Sequence, residues 1–119
     1  MERLSISTNN EIIRIPTEEI VFIKGDGNYS DVYLQNGKTE NILAQLHCLE
    51  EKLTSIKDST FFRVGISFII NKDFIYKVNP GVQKLILASS RLVNDIHLKL
   101  SKEALKELKT KLEQEGGNS

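Results

Sequence analysis

Several features that mark other classes of protein are missing from this sequence. The single cysteine, Cys48, has no partner for an internal disulfide, which favours a reducing compartment. No apolar run approaches the roughly 20 residues that a membrane-spanning helix needs. The first residues also lack the basic-then-apolar order of a secretory signal. With a length of 119 residues, typical of one domain, we expect a single-domain cytoplasmic protein.

The chain also has no net charge, because 16 Lys and Arg residues balance 16 Asp and Glu residues. Proteins that bind polyanions without selectivity usually carry an evident excess of cations, so the balance argues against that class. It does not exclude a sequence-specific DNA-binding protein, in which the cations need only be gathered on one face.

The residue patterns of catalytic and metal sites are also absent. Only two histidines occur, His47 and His97, and neither a CxxC nor an HxxxH pattern is present. His47 precedes Cys48 on a predicted helix, where adjacent residues do not face each other. The GDG at residues 25–27 lacks the pattern and the following helix of a phosphate-binding loop. We therefore predict no enzyme activity, no metal site and no cofactor.

What the chain does contain is period-two alternation, which is typical of half-buried strands. Predicted strands cover residues 4–8, 13–15, 20–24, 29–34, 61–64, 67–71, 74–78, 84–88 and 96–100. Turn residues separate several of them, at Asn9-Asn10, at the GDGN of residues 25–28 and at Asn36-Gly37. Pro16 ends the second strand, and Thr17 is predicted to cap a short helical turn.

Two stretches change to the period of a helix. The central one is predicted from an apolar stripe at Ile42, Leu46, Leu49, Leu53 and Ile56. The second begins after Ser101, a predicted N-cap, and Glu107 and Lys111 are spaced along it to form an ion pair.

The order of these elements predicts the fold class. Strands and helices do not alternate regularly, so a parallel Rossmann-type sheet is not expected. We predict a mostly β fold of antiparallel β elements, with one central and one C-terminal helix packed on them. The domain would span residues 1–113, and residues 114–119 would form a flexible tail.

Several segments together resemble the LytTR DNA-binding domain family. They occur in the family's order and spacing over about residues 3–113, and comprise IVFIKGDGNYSDVYL (20–34), FFRV (61–64), SFIIN (67–71) and LSKEALKEL (100–108). The resemblance implies a fold of antiparallel β elements with short helices. It also implies binding to double-stranded promoter DNA, with loops entering consecutive grooves on one face of the duplex.

The resemblance extends to the molecular context. Family members usually carry a receiver domain, act as response regulators and occupy paired direct repeats, which would suit a homodimer on DNA. Here the sequence starts at its first predicted strand. We therefore expect either a stand-alone member or an excised domain.

Position by position, the resemblance assigns candidate DNA contacts to side chains in three loops and one strand. They are Asn28, Tyr29, Arg63, Ser67, Ser101 and Lys102. Lys72 is a further candidate for phosphate contact by its charge and position alone. Asn28 can contact a base edge or a phosphate, or be a left-handed turn residue. Tyr29 can donate to a phosphate or simply pack. Lys102, where the family has an arginine, keeps the charge without the bidentate fork, and a solvated role stays open.

Two further residues of the matching segments have structural predictions. Arg63 alternates with apolar neighbours in FFRV and is expected to face outward, toward solvent or phosphate. Asn71 is expected to cap the turn that follows its strand rather than to contact DNA.

One departure concerns the family's central base-contacting pair. Where the family has His-Arg or a similar polar pair before Ser67, this chain has Gly65-Ile66, whose side chains cannot hydrogen-bond to a base. Ile66 can contact a thymine methyl group or face inward. Two functions therefore stay open: a sequence-specific DNA-binding transcriptional regulator of the LytTR type, and a protein-interaction module of the same fold with weakened or lost DNA binding.

Overall fold

The structure, a computed structural model, describes residues 2–115. Within that range the chain forms ten strands: β1 (Arg3–Ser7), β2 (Ile12–Pro16), β3 (Ile20–Asp26), β4 (Tyr29–Leu34), β5 (Thr39–Ile42), β6 (Phe61–Val64), β7 (Phe68–Asn71), β8 (Ile75–Asn79), β9 (Lys84–Leu87) and β10 (Ile96–Lys99). The two α-helices are α1 (Leu46–Thr54) and α2 (Lys102–Glu115), and short 3-10 turns lie at Thr17–Glu19, Lys72–Phe74 and Pro80–Val82.

All the strand pairs are antiparallel, and they form three sheets. β1 and β2 make a hairpin, the central sheet has the order β5-β4-β3-β7-β6, and a small sheet has the order β10-β9-β8. The predicted fold class is therefore confirmed: the protein is mostly antiparallel β, with two helices.

The central sheet is covered on both faces. One face packs against the β1–β2 hairpin and α1, and the other packs against the small sheet and α2. β3 lies in the middle of this arrangement, and its IVFI run is buried throughout, as expected for a strand with two covered faces. A bulge between Ile20 and Phe22 shifts the register, so that Ile20 packs on the α1 side and Phe22 on the α2 side.

The central helix is shorter than predicted. It begins at Leu46, whereas Ile42 is the last residue of β5, a strand that the prediction missed, and pairs with Ser30 of β4. Ile42 is 1% exposed and packs in the same apolar cluster as α1. It therefore fits the apolar spacing of the helix although it is a strand residue. The Ser30 hydroxyl donates to the Ala44 carbonyl at 2.8 Å, which ties the β5–α1 link to the sheet.

Two local predictions about polar contacts are also wrong. Thr17 does not cap its turn: Pro16 occupies the cap position, and the Thr17 hydroxyl donates to the Glu2 carbonyl instead. On α2 the i,i+4 ion pair joins Lys109 to Glu113 at 2.8 Å. The Lys111 ammonium, predicted to pair with Glu107, lies 5.6 Å from the centre of the Phe62 ring.

Two of the three predicted caps are confirmed. The Ala104 N–H donates to Ser101 Oγ at 3.2 Å, which makes Ser101 the N-cap of α2. The Asp73 N–H donates to Asn71 Oδ1 at 3.1 Å, and Asn71 Nδ2 donates to the Ile20 carbonyl at 2.8 Å. Asn71 is 1% exposed, so it joins the turn after β7 to the middle of the core.

The domain was predicted to end at residue 113 and the tail to cover residues 114–119. In the structure α2 continues to Glu115, so residues 114–115 belong to the helix, and residues 116–119 lie outside the described residues. Over residues 2–115, none of the helices is long and apolar enough to cross a membrane.

Candidate nucleic-acid interface

Two turns and two helix starts meet along one edge of the molecule. One groove there is lined by residues of the β3–β4 turn, the start of α1 and the β6–β7 turn, including Gly27, Gln45 and Ser67. A second groove is lined by the β6–β7 turn and the start of α2, including Lys99 and Ser101. We call this surface the loop edge and define it as residues 25–29, 45–47, 65–67 and 99–102.

The β3–β4 turn presents Asn28 and Tyr29. Gly27, at φ +63°, takes the left-handed conformation, so Asn28 is not the left-handed residue of the turn. The exposed Asn28 accepts a hydrogen bond through Oδ1 from Gln45 Nε2 at 3.0 Å, which links the turn to the start of α1. Tyr29 is 46% exposed. Both side chains are therefore accessible to a partner.

The β6–β7 turn carries the departure from the family pattern. Gly65 has φ +66°, and a Cβ added there would lie 3.4 Å from the Ala104 Cβ. Ile66 is 87% exposed, so it does not face inward. The backbone is anchored at Ile66 and at the residue after it: Arg63 Nη2 donates to the Ile66 carbonyl, and the Gly25 N–H donates to the Ser67 carbonyl at 2.8 Å. An apolar side chain is thus held outward on a fixed backbone.

Arg63 lies beneath this turn rather than on its surface. Its Nη1 forms an ion pair with Glu50 Oε1 of α1 at 2.7 Å, and only 28% of its side chain is exposed. The guanidinium therefore joins α1 to the turn that carries Ile66. Contact between Arg63 and phosphate stays a prediction.

The start of α2 presents Ser101 and Lys102. The Ser101 oxygen accepts from the Ala104 N–H, and its hydroxyl hydrogen is still available to an external acceptor. Lys102 is exposed at the first position of the helix, and its positive charge lies at the end of the helix where N–H groups are unsatisfied.

Lys72 lies apart from the other predicted residues. It follows β7, whereas Ser67 precedes it, which separates the two by about 15 Å at the usual rise of a strand. Its ammonium forms an ion pair with Glu115 at the end of α2 and lies 5.7 Å from the centre of the Phe62 ring. The structure therefore places six of the seven predicted residues at or directly beneath the loop edge, and Lys72 at the far end of β7.

Three polar side chains of the loop edge lie outside the segments that were predicted to contact DNA: Gln45, His47 and Lys99. Gln45 and His47 were placed inside a helix that was predicted to include Ile42, although Gln45 is its N-cap. Lys99 looked like an ordinary strand residue. The His47 ring lies 3.5 Å from Cys48 Sγ, but no group of three or more His, Cys, Asp or Glu side chains in residues 2–115 is arranged to hold a metal ion.

Comparison with known proteins identifies the family. The model of the LytTr DNA-binding domain matches residues 10–113. A similar solved structure is the LytTr DNA-binding domain of a protein described as a methyl-accepting/DNA response regulator from Bacillus cereus. It is 19% identical, with a TM-score of 0.67, over 94% of this chain and 97% of that chain. No curated protein gave a significant match. At 19% identity the structural likeness shows the fold alone. Because the family model spans most of the chain, the protein belongs to the LytTR DNA-binding domain family.

Proposed function

We propose that this protein is a sequence-specific regulator of transcription that binds promoter DNA through the loop edge. The observation that carries the proposal is the convergence of two turns and two helix starts on one surface of a LytTR chain. Turns that project side by side can enter successive grooves of a duplex. Helix starts supply backbone N–H groups and a partial positive charge, both of which suit phosphate.

The polar side chains of the loop edge suit contacts that position the duplex. Lys102, Ser101 and Tyr29 can contact phosphate oxygens, and such contacts set register without reporting sequence. Asn28 retains its Nδ2 group as a donor, since only Oδ1 is bonded to Gln45 in the described residues. Gln45 and Asn28 together can present an amide pair to a base edge or a phosphate.

Sequence selectivity at the β6–β7 turn would rest on apolar contact. Ile66 has no hydrogen-bonding group in its side chain, and its exposed aliphatic surface matches the C5-methyl group of thymine in the major groove. Because Arg63 and Gly25 anchor the carbonyls of Ile66 and Ser67, little conformational freedom would be lost on binding. Arg63 would act through this turn as a positioning residue.

A protein-interaction module is the second candidate. The same exposed Ile66 favours it, since the adjoining groove is lined by the apolar Val64, Phe68 and Leu100. An apolar tip beside an apolar groove is also what a partner protein would contact. The two candidates differ in their dependence on salt and on base sequence.

Selection from a random duplex pool, followed by fluorescence anisotropy at several salt concentrations, tests the proposal. We expect an enriched sequence and a logarithmic salt slope of about −0.9 for each phosphate contacted. Lys102→Ala should reduce the slope by about one, and Asn28→Ala should weaken binding. Lys52→Ala on exposed α1 surface is the matched control.

The same measurements can also contradict the proposal. If no sequence is enriched, and Lys102→Ala and Asn28→Ala behave like the control, the interaction module is favoured. Lys72→Ala should be measured in the same way. A reduced salt slope for this variant would show that Lys72 contacts DNA.

We propose further that two copies occupy paired direct repeats. Duplexes that contain one or two copies of the enriched sequence would separate the possibilities by stoichiometry. Cooperative binding of two protein copies to the paired sites is the expected result. Independent binding at the two sites would argue against contact between the copies.

A further inference from the structure

The outer face of the small sheet carries a group of three lysines, two of which, Lys77 and Lys84, lie outside the loop edge. Across β8, β9 and β10 the register places Asn79, Lys84 and Lys99 in one row and Lys77, Ile86 and His97 in another. The row between them contains Leu85, and the next row beyond Ile86 contains Leu87; both leucines are buried. Since residues paired across a sheet point to the same side, the two lysine-containing rows form one outward face.

This face is basic and has no acidic member. Its six positions include three lysines and no carboxylate, although the whole chain has equal numbers of acidic and basic residues. None of the three lysines forms an ion pair with any other residue in the described part of the chain. The cations are therefore segregated here rather than neutralised by neighbours.

Two of these lysines lie directly opposite each other. Lys84 of β9 pairs with Lys99 of β10, and all three lysines are exposed. Like charges at directly opposed positions destabilise a sheet. A bound anion would relieve this repulsion.

Some of the carboxylates gather elsewhere. A groove beside the β1–β2 hairpin and the end of α1 is lined by four of the 16 acidic residues, Glu2, Glu18, Asp58 and Asp73, with one lysine. The neutral total therefore includes a locally basic and a locally acidic surface, which is compatible with binding of a polyanion on one side.

The basic face is continuous with the loop edge. Lys99 belongs to both, because it ends β10 and lines the groove shared by Ile66 and Ser101. From there the face extends over two further strands, about 10 Å, and back along the strands by two residues, about 7 Å. Its diagonal of about 12 Å matches the phosphates of about three base pairs at the usual rise of a duplex strand.

We infer that this face, defined by Lys77, Lys84 and Lys99, binds backbone phosphates of duplex DNA that flank the bases contacted by the loop edge. This inference rests on the proposed function, because the loop edge must first seat the duplex. The face carries no information about base sequence. It adds affinity and salt dependence, and it sets which side of the target needs flanking DNA.

The test compares two duplexes: the shortest one that keeps the enriched sequence, and the same one extended by about ten base pairs on each side. The variant is Lys77→Gln with Lys84→Gln, which leaves Lys99 and the whole loop edge intact. The matched control is Lys52→Gln with Lys57→Gln, a pair of equally exposed lysines at and after the end of α1. Fluorescence anisotropy over 50 to 200 mM salt gives both affinity and slope.

We expect the unmodified protein to bind the extended duplex more tightly and with a steeper salt slope than the short one. The Lys77/Lys84 variant should lose about two phosphates from the slope on the extended duplex, so that its change in affinity over this salt range is smaller by about tenfold. Its binding to the short duplex should stay unchanged. The control pair should behave as the unmodified protein does on both duplexes.

The failures are distinguishable. If the unmodified protein binds neither duplex selectively, the proposed function itself fails and the inference fails with it. If selective binding is present but the Lys77/Lys84 variant keeps the full gain from flanking DNA, the inference alone is wrong, and an acidic protein becomes the better partner for this face. A melting temperature at or above that of the unmodified protein would exclude misfolding of the variant as the cause of any loss.

Discussion

Arg63 holds Ile66 in place through the backbone: its Nη2 donates to the Ile66 carbonyl while its Nη1 forms an ion pair with Glu50 of α1. The side chain that was expected to meet solvent or phosphate thus connects a helix to the tip of a turn. This relationship gives Arg63 a role that does not need direct contact with DNA, and it makes the position of Ile66 dependent on a partly buried ion pair.

The first prediction concerns that link. Arg63→Lys keeps the charge but cannot contact both partners, so we expect a loss of about 1–2 kcal/mol in the free energy of unfolding. Affinity for the enriched duplex should fall several-fold with an unchanged salt slope. Urea denaturation and anisotropy measure the two effects. If Arg63 instead contacts phosphate, Arg63→Lys should retain affinity, and Arg63→Ala should lower the slope by about one.

The second prediction concerns Ile66 and thymine. Replacing each thymine of the target by deoxyuridine removes one methyl group at a time, which is worth about 0.8 kcal/mol, or about fourfold in affinity, when buried. One position should show this loss with the unmodified protein and none with Ile66→Ala. A scan in which no position depends on Ile66 would show that the turn recognises no methyl group.

The third prediction separates strain from packing at two glycines. Gly27 and Gly65 have nearly equal positive φ, but a Cβ meets nothing within 4 Å at Gly27 and meets Ala104 at 3.4 Å at Gly65. Each Gly→Ala substitution should cost about 1–2 kcal/mol through backbone strain. The loss at Gly65 should be equal or slightly larger, as measured by urea denaturation. A negligible loss at Gly27 would contradict the left-handed turn.

The left-handed backbone at Gly65 also decides which substitution can restore a base contact. A histidine at this position would carry the backbone penalty, which would mask a gain in binding. Ile66→Arg changes only the side chain that would contact a base and leaves Gly65 in place. If the turn faces a groove, it should alter the enriched sequence or raise affinity for a guanine-containing site.

The fourth prediction concerns Asn71. Asn71→Ala would leave the Ile20 carbonyl and the Asp73 N–H without their partner, the former in the core, so we expect a loss of about 2–4 kcal/mol. Asn79→Ala is the matched control, because Asn79 caps a similar 3-10 turn but is exposed. It should cost less than about 1 kcal/mol. Equal losses in urea denaturation would show that the buried bond to Ile20 contributes little.

Much of the fold follows from local patterns in the sequence. Alternation located nine of the ten described strands, and the caps at Ser101 and Asn71 were predictable because a cap involves only residues two or three positions apart. The order of the matching segments indicated the family. These features depend on neighbours along the chain, and the sequence encodes them directly.

Where α1 begins, and what Arg63 contacts, depended on packing between distant segments. Ile42 is buried beside α1 but belongs to β5, because its partner Ser30 lies across a strand pair that local periodicity does not reveal. The apolar neighbours of Arg63 predict that its side chain faces solvent. In the structure it instead forms an ion pair with Glu50 of α1.

The sequence by itself determined nine of the ten described strands, the second helix and the candidate contact residues. Only the tertiary structure decided which of them share a surface. Lys77, Lys84 and Lys99 are separated along the chain by a 3-10 turn and a loop, and a bulge after Ile75 sets the register that places them in adjoining rows. The physical reason is that strand register and layer packing are set by burial of apolar residues distant in sequence, so the basic face exists only once β8, β9 and β10 have paired.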